Sequence, residues 1–394
     1  MIDRRTVIAG GALLAIGAAP GADRRARILL DEAASLLPAE RLRLLRAIET
    51  AGLSEGVQLD AAAALRGADL ERRLATAAPG QRYAFQLRLQ SGIDISPDLA
   101  HRRALDASTA FTRRADRLLR QQGLVNGTVA ERLRTLARDP RFLYSDDDAG
   151  RARAVADMNV WLAAARARLP SQFGRVLPAS LGVSIVRMTP AEEGAGKAGY
   201  RSLPAPDGAV AGAYHVDLHA IRQRPSWSLP SVVHHETLPG HMVQSPLQAA
   251  VDPHPLRLKA AAGFVEGWAI YAEQLAAEAG AYAAEPRAAI GYCQWMLFRL
   301  GRLLVDTGVN YLGWSTDKAL DTLRGLQGDP VIFAPFAKDV ARMAAEPASF
   351  AGQALTWLEI VQRRNASISR GDGAGLRRFH DRVLAHGAIP LALF

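Results

Sequence analysis

From Asp23 to about Leu169, apolar residues recur at i, i+3, i+4 and i+7, as in ARILLDEAASLL, ERLRLLRAIETA and AERLRTLARD. That period lays one apolar stripe along a helix, so this part of the chain is predicted to be a series of amphipathic helices. Breaks fall at Pro38, Gly80, Pro97, Gly123 and Pro140, and no fixed-length repeat emerges, which favours a helical lobe over a repeat array. Helical patterning returns late in the chain, through Tyr292 to Thr307, Thr316 to Leu326 and Ala337 to Met343. Only GVSIVRM (Gly182 to Met188) and AGAYHVDLH (Ala211 to His219) alternate or favour β-branched residues, with a Gly- and Pro-rich segment between them. The expectation is a mainly α fold with a small antiparallel β-sheet, in which Tyr214 to Asp217 forms the edge.

Composition narrows the class. A chain of 394 residues with 49% hydrophobic content can bury a large core. The net charge of +9 comes from arginines interleaved with acids along helical faces. A basic surface suited to acidic substrates follows, and nucleic-acid binding does not, since no aromatic-basic module is present. The single cysteine, Cys293, excludes an internal disulfide and sits in the apolar stretch GYCQWMLF, as a buried small hydrophobe would. Residues 1–22 carry Arg4-Arg5, a short apolar run and then small residues, the layout of a twin-arginine signal peptide, which predicts export to the periplasm or beyond. No later stretch is long enough for a stable membrane span. Asp146, Asp147 and Asp148 lack the Gly and Glu of a calcium loop and are read as an acidic first turn of a helix.

The densest chemistry lies in Ser231 to Gln244, SVVHHETLPGHMVQ, which holds His234, His235, Glu236 and His241 among apolar or small residues. His235-Glu236 followed by a further histidine resembles the zincin helix, where two imidazoles hold Zn²⁺ and the adjacent Glu acts as base. In that motif the histidines are i and i+4, about 40° apart around the helix. Here they are i and i+6, which on a straight helix means about 120° and roughly 9 Å along the axis, too far for bonds of about 2.1 Å to one ion. Pro239 lacks the N–H that would bond His235 and Gly240 has wide backbone freedom, so the helix is predicted to break there and bring His241 back towards His235. Glu266, in FVEGWAIYAE, is the candidate third ligand. Gly263 and Gly267 flank it and predict a close approach of another backbone. Glu273, seven residues on, falls on nearly the same face and reads either as a partner for a ligating histidine or, slightly favoured, as a solvated charge.

HETLPGHMVQ, FVEGWAIYAE, LLVDTGVNYLGWS, FAGQAL and the closing RRFHDRVLAHGAIPLALF, taken together and in order, resemble the domain-of-unknown-function 885 family, a bacterial group similar to gluzincin metallopeptidases. The resemblance runs from about Arg82 to the C-terminus. It implies a helical gluzincin-like metallopeptidase fold, Zn²⁺ held by His235, His241 and Glu266, and Glu236 as base. On this basis residues 23–170 are expected to form an N-terminal helical lobe and residues 171–394 a zincin-like catalytic lobe. The chain departs from the family pattern at Met242 and Asn310, where histidines are common, and at Trp357, where tyrosine is.

The expected function is zinc-dependent hydrolysis of peptide or related amide bonds, of carboxypeptidase or oligopeptidase type. The alternative is a non-catalytic helical binding protein that keeps a zincin-like metal site, supported by the departures at Asn310 and Trp357. Arg299 and Arg302 are candidates to receive a substrate carboxylate, although an intrahelical ion pair, as of Arg302 with Asp306 one turn away, is the commoner outcome for such residues. Tyr214 is a candidate substrate contact. Tyr311 and His380 are candidate oxyanion donors, with His380-Asp381 read as either an oriented imidazole or a surface pair. His215 and His219 cannot share an ion as strand residues, since four positions span about 13 Å.

Overall fold

Eighteen α-helices and three short strands make up the described residues, so helix dominates as the periodicity predicts. The computed structural model describes residues 21–394 apart from 197, 206 and 370. Most of the expected signal segment, residues 1–20, therefore lies outside the described residues. Pro38 and Pro97 open helices, where the missing N–H costs nothing, and Ser96 caps the Pro97–Gln121 helix by accepting from the Leu99 N–H. Thr128 and Glu131 cap each other at the Val129–Ala137 helix, and Asp147 caps the Asp148–Gln172 helix through the Gly150 N–H. The late helices run Pro286–Asn310, Thr316–Gln327 and Phe336–Ala345.

The main core gathers residues from Tyr83 to Leu391, on both sides of residue 170, around fully buried Phe264, Trp268, Tyr271, Tyr292 and Trp357. A smaller cluster of residues from Ala22 to Ala68 packs on Leu256. Cys293 is buried in the main core, as its setting suggests. Among the described residues no helix is long and apolar enough to cross a membrane.

The sheet differs from expectation. Its strands are β1 (Ser184–Arg187), β2 (Tyr200–Ser202) and β3 (Ala213–Val216), in the order β1-β3-β2. β1 runs parallel to β3, with Ile185 opposite Tyr214, and β2 runs antiparallel, with Arg201 opposite Tyr214. The sheet is mixed rather than antiparallel because the connection from β1 to β3 is long enough for a crossover, and β2 lies within it. Tyr214 thus sits on the central strand, not an edge. The side-chain amide of Asn159 bonds both the N–H and the carbonyl of Ile185 and so fastens β1 to the Asp148–Gln172 helix.

Asp306 is a buried joint between helices. Its Oδ1 accepts from the Tyr83 hydroxyl, the Ala348 N–H and Asn310 Nδ2, while Oδ2 is buried without a partner. Burial raises its carboxyl to about 6 against those hydrogen bonds. A raised folded-state pKa means the ionised form costs stability, a cost absent below the ordinary value of 3.8 and complete above about 6. Asp306→Asn is therefore expected to gain about 2–3 kcal/mol relative to wild type between pH 4 and pH 7. Denaturant unfolding at the two pH values checks this, and a gap that does not move with pH disproves it.

Candidate metal centre

The helix carrying His235 ends where its sequence says it should. Leu229–Glu236 stops at Thr237, and a new helix begins at His241. Gly240 is obligatory at the break: a Cβ there would lie 2.0 Å from the His235 carbonyl oxygen and 2.5 Å from that of His234. The Trp268 indole N–H donates to the Pro239 carbonyl at 3.1 Å and ties the break to the Phe264–Glu278 helix. That helix brings Glu266. Gly267 lets it seat against the Ser349–Ser367 helix, since a Cβ would meet the Thr356 side chain at 2.5 Å.

The two imidazoles converge, with ring centroids 5.0 Å apart. His235 Nε2 lies 3.3 Å from one Glu266 oxygen and His241 Nε2 lies 3.4 Å from the other. One ligand atom from each of the three side chains falls within 4.8 Å of the rest. A tetrahedral ion with bonds of about 2.0–2.1 Å requires its ligand atoms about 3.3–3.4 Å apart, so the donor set and its spacing suit a small cation. His241 is fully buried and neither of its ring nitrogens makes a hydrogen bond. Such an orphaned imidazole is costly unless something else takes its lone pair. Burial lowers its pKa, with Glu266 opposing, so a lone pair is available at neutral pH.

His235 is oriented from behind. Its Nδ1 donates to Glu273 Oε1 at 2.8 Å, which leaves Nε2 pointing at the cluster, and Ser231 Oγ donates to Glu273 Oε2 at 2.6 Å. Glu273 is buried, not solvated. The two views of Glu273 separate here because the Leu229–Glu236 helix crosses directly over it. Burial and Arg299 lower the His235 pKa, but Glu266 and Glu273 outweigh them and push it up to about 9, a proton that a bound cation would displace. Burial likewise raises Glu273 and Glu266, and the facing histidines reverse this and hold both carboxyls low. Glu273→Gln is expected to weaken metal affinity tenfold or more, within the 10–100-fold range of about 1.4–2.8 kcal/mol known for such outer partners. Competition with a chromogenic chelator reads this, and an unchanged affinity removes Glu273 from the centre.

Glu236 stands beside the cluster without joining it. Its Oε2 pairs with the Arg201 guanidinium from β2. Arg201 escaped sequence reasoning because a three-residue strand inside a Gly- and Pro-rich segment shows no alternation. Glu236, His235, Glu266 and Tyr214 line one cavity of about 410 Å³ with Arg299, Trp295 and Phe333. Glu266 is 35% exposed, so the cluster opens on this side while His241 closes the other. Burial and the charge of Glu236 raise the Tyr214 phenol, which stays protonated. A larger cavity of about 670 Å³, lined by Glu278 and Arg364, opens elsewhere and carries none of these residues.

The sequence profile of the bacterial proteins of unknown function called DUF885 matches residues 19–394. The chain belongs to the DUF885 family. Several solved chains share its fold, among them the following two. One, from Colwellia psychrerythraea and described as a lipoprotein, is 27% identical with a TM-score of 0.72, covering 95% of this chain and 66% of its own. The other, from Shewanella oneidensis and described as a lipoprotein of unknown function, is 14% identical with a TM-score of 0.63, covering 93% of this chain and 71% of its own. This DUF885 chain thus spans just under two thirds of the length of the Colwellia protein. No curated protein matches it.

Four expected roles meet a different setting in this DUF885 protein. Arg302 grips Asp339 through two bonds of 2.8 and 2.7 Å and lies between the Phe298 and Phe350 rings, and makes no ion pair with Asp306. Arg299 does line the cavity, but its Nη2 lies 3.5 Å from Glu273 and 3.4 Å from His235 Nδ1, so it braces His235 from behind. Tyr311 is outside the cavity and donates to Asp98 at 2.8 Å. His380 is buried among Phe173, Trp268 and Tyr271, with Nδ1 donating to the Gln172 carbonyl and Nε2 accepting from the Tyr271 hydroxyl. Asp381 instead accepts from the Gly174 and Arg175 N–H groups, because consecutive helical residues point about 100° apart. His215 stacks on Tyr200 and bonds Ser202, and neither it nor His219 joins the cluster.

Proposed function

We propose that this chain is a zinc-dependent hydrolase of peptide or related amide bonds, with His235, His241 and Glu266 as metal ligands and Glu236 as general base. The observation that carries the reading is the meeting of three buried or half-buried donors within 4.8 Å of one another, beside a glutamate outside the cluster, with His235, Glu266 and Glu236 on the wall of an open cavity. His235, His241 and Glu266 would hold zinc there, and it would supply Lewis-acid chemistry, lowering the pKa of a water to about 7 and polarising a carbonyl. Glu236 takes up a proton from the attacking water and returns it to the leaving amine, and Arg201 holds its carboxylate in place. Tyr214 offers a protonated hydroxyl on the same wall for the developing oxyanion.

The three departures from the family pattern lie off the cavity wall. Met242 is buried in the core, Asn310 bonds Asp306 and the Met343 carbonyl, and the Trp357 indole donates to Gln274. None of the three lines the cavity. The signal-like start and the lipoprotein description of the Colwellia relative support an exported protein of the cell envelope. The test is digestion of a defined peptide mixture by the zinc-loaded protein and by Glu236→Gln, read by mass spectrometry. Cleavage by the first alone supports the reading. No cleavage by either, or equal cleavage by both, overturns it.

A further inference from the structure

Charge in the cavity is unevenly spent. Each of its four carboxylates has a cationic or histidine partner: Asp217 with Arg224, Glu236 with Arg201, Glu266 with the two histidines, Glu273 with His235. Its four arginines are less fully engaged. Arg302 is satisfied by Asp339, but Arg224 and Arg299 each bury an Nε with no acceptor. Arg342, at the end of the Phe336–Ala345 helix, has no carboxylate partner among the described residues. It is exposed, and its guanidinium lies 4.9 Å from the centre of the Phe350 ring. The four arginines balance the four carboxylates, and a bound divalent cation would tip the cavity positive.

The geometry points to Arg342 as the residue that selects substrates carrying a free carboxylate on the Phe350 side of the metal centre. A guanidinium stacked on a ring keeps its in-plane donors open, which suits two-point recognition of a carboxylate. The nearby Arg302 cannot compete for it, being held by Asp339 and sharing the Phe350 ring at 4.1 Å. The carboxylate is that of a peptide C-terminus or of an acidic side chain. Trp295, Phe333 and Phe350 on the same walls favour an aromatic or bulky apolar group next to it. This rests on the hydrolase reading for what becomes of the substrate, but not for its binding.

Binding is therefore tested apart from turnover. Calorimetry of the zinc-loaded protein with 3-phenylpropanoate and with its amide is expected to show the acid binding at least tenfold tighter. Arg342→Ala is expected to bring the two within threefold, and Arg342→Lys to restore part of the preference. Acid and amide binding alike in the wild type overturns the inference. So does a preference that survives in Arg342→Ala, which would place the carboxylate on the metal. Hydrolysis of one peptide as free acid, as C-terminal amide, and as amide with an aspartate near the end then separates the two sources of carboxylate. If none is cleaved while the binding preference holds, the hydrolase reading fails and the carboxylate site stands. Arg342 is exposed on a helix surface, so its variants are expected to fold.

Discussion

Glu236→Gln is expected to lower peptide turnover by about 10²–10⁴-fold, the usual contribution of a positioned acid–base group, with the loss in kcat rather than KM. Zinc content is expected to stay at that of the wild type, because Glu236 is not among the three converging ligands. Glutamine keeps the shape and one acceptor but cannot carry a proton between water and amine. The substitution also leaves Arg201 without its partner. Arg201 is 28% exposed, so water takes over much of that interaction, and stability should change by about 1 kcal/mol or less. Arg201→Ala with Glu236 intact separates the two effects: it mobilises the base and is expected to cost far less turnover than Glu236→Gln. Equal turnover in wild type and Glu236→Gln would show that another group does the chemistry.

The meeting of His235, His241 and Glu266 was largely legible because the sequence itself records the broken helix. Pro239 and Gly240 stand where a continuous helix would carry His241 away from His235, and the collision that any side chain at position 240 would suffer shows how tightly the break is made. Glu266 was legible for a similar reason, since glycines at 263 and 267 have no purpose in a solvent-facing helix. What a helix meets across a packed interface was not. Glu273 lies on the ligand face by periodicity alone, but whether that face looks at water or at His235 depends on where a helix some forty residues earlier crosses it. Arg302 offered Asp306 at i+4, yet tertiary packing gave it Asp339, from a helix that sequence spacing cannot place. The sheet failed at a different level: strands of three or four residues specify little, and their order is set by the crossover that joins them.

His241→Ala is expected to abolish stoichiometric zinc binding, with affinity falling by more than the 10–100-fold lost with an outer-shell partner. The variant is also expected to fold, which makes the result interpretable. Neither ring nitrogen of His241 makes a well-aligned hydrogen bond, and its one charged neighbour, Glu266 at 3.4 Å, is 35% exposed, so water can replace the ring there. The position is the first of the His241–Val251 helix, where alanine is well tolerated. The remaining cost is the cavity left by a buried ring, about 1–3 kcal/mol, visible as a lower unfolding midpoint with unchanged far-UV circular dichroism. If His241 were only a packing residue, zinc would stay with His235 and Glu266 at full occupancy while stability fell. Metal analysis of the folded variant separates the two cases, and one zinc per chain in His241→Ala would remove this histidine, and the tetrahedral centre with it.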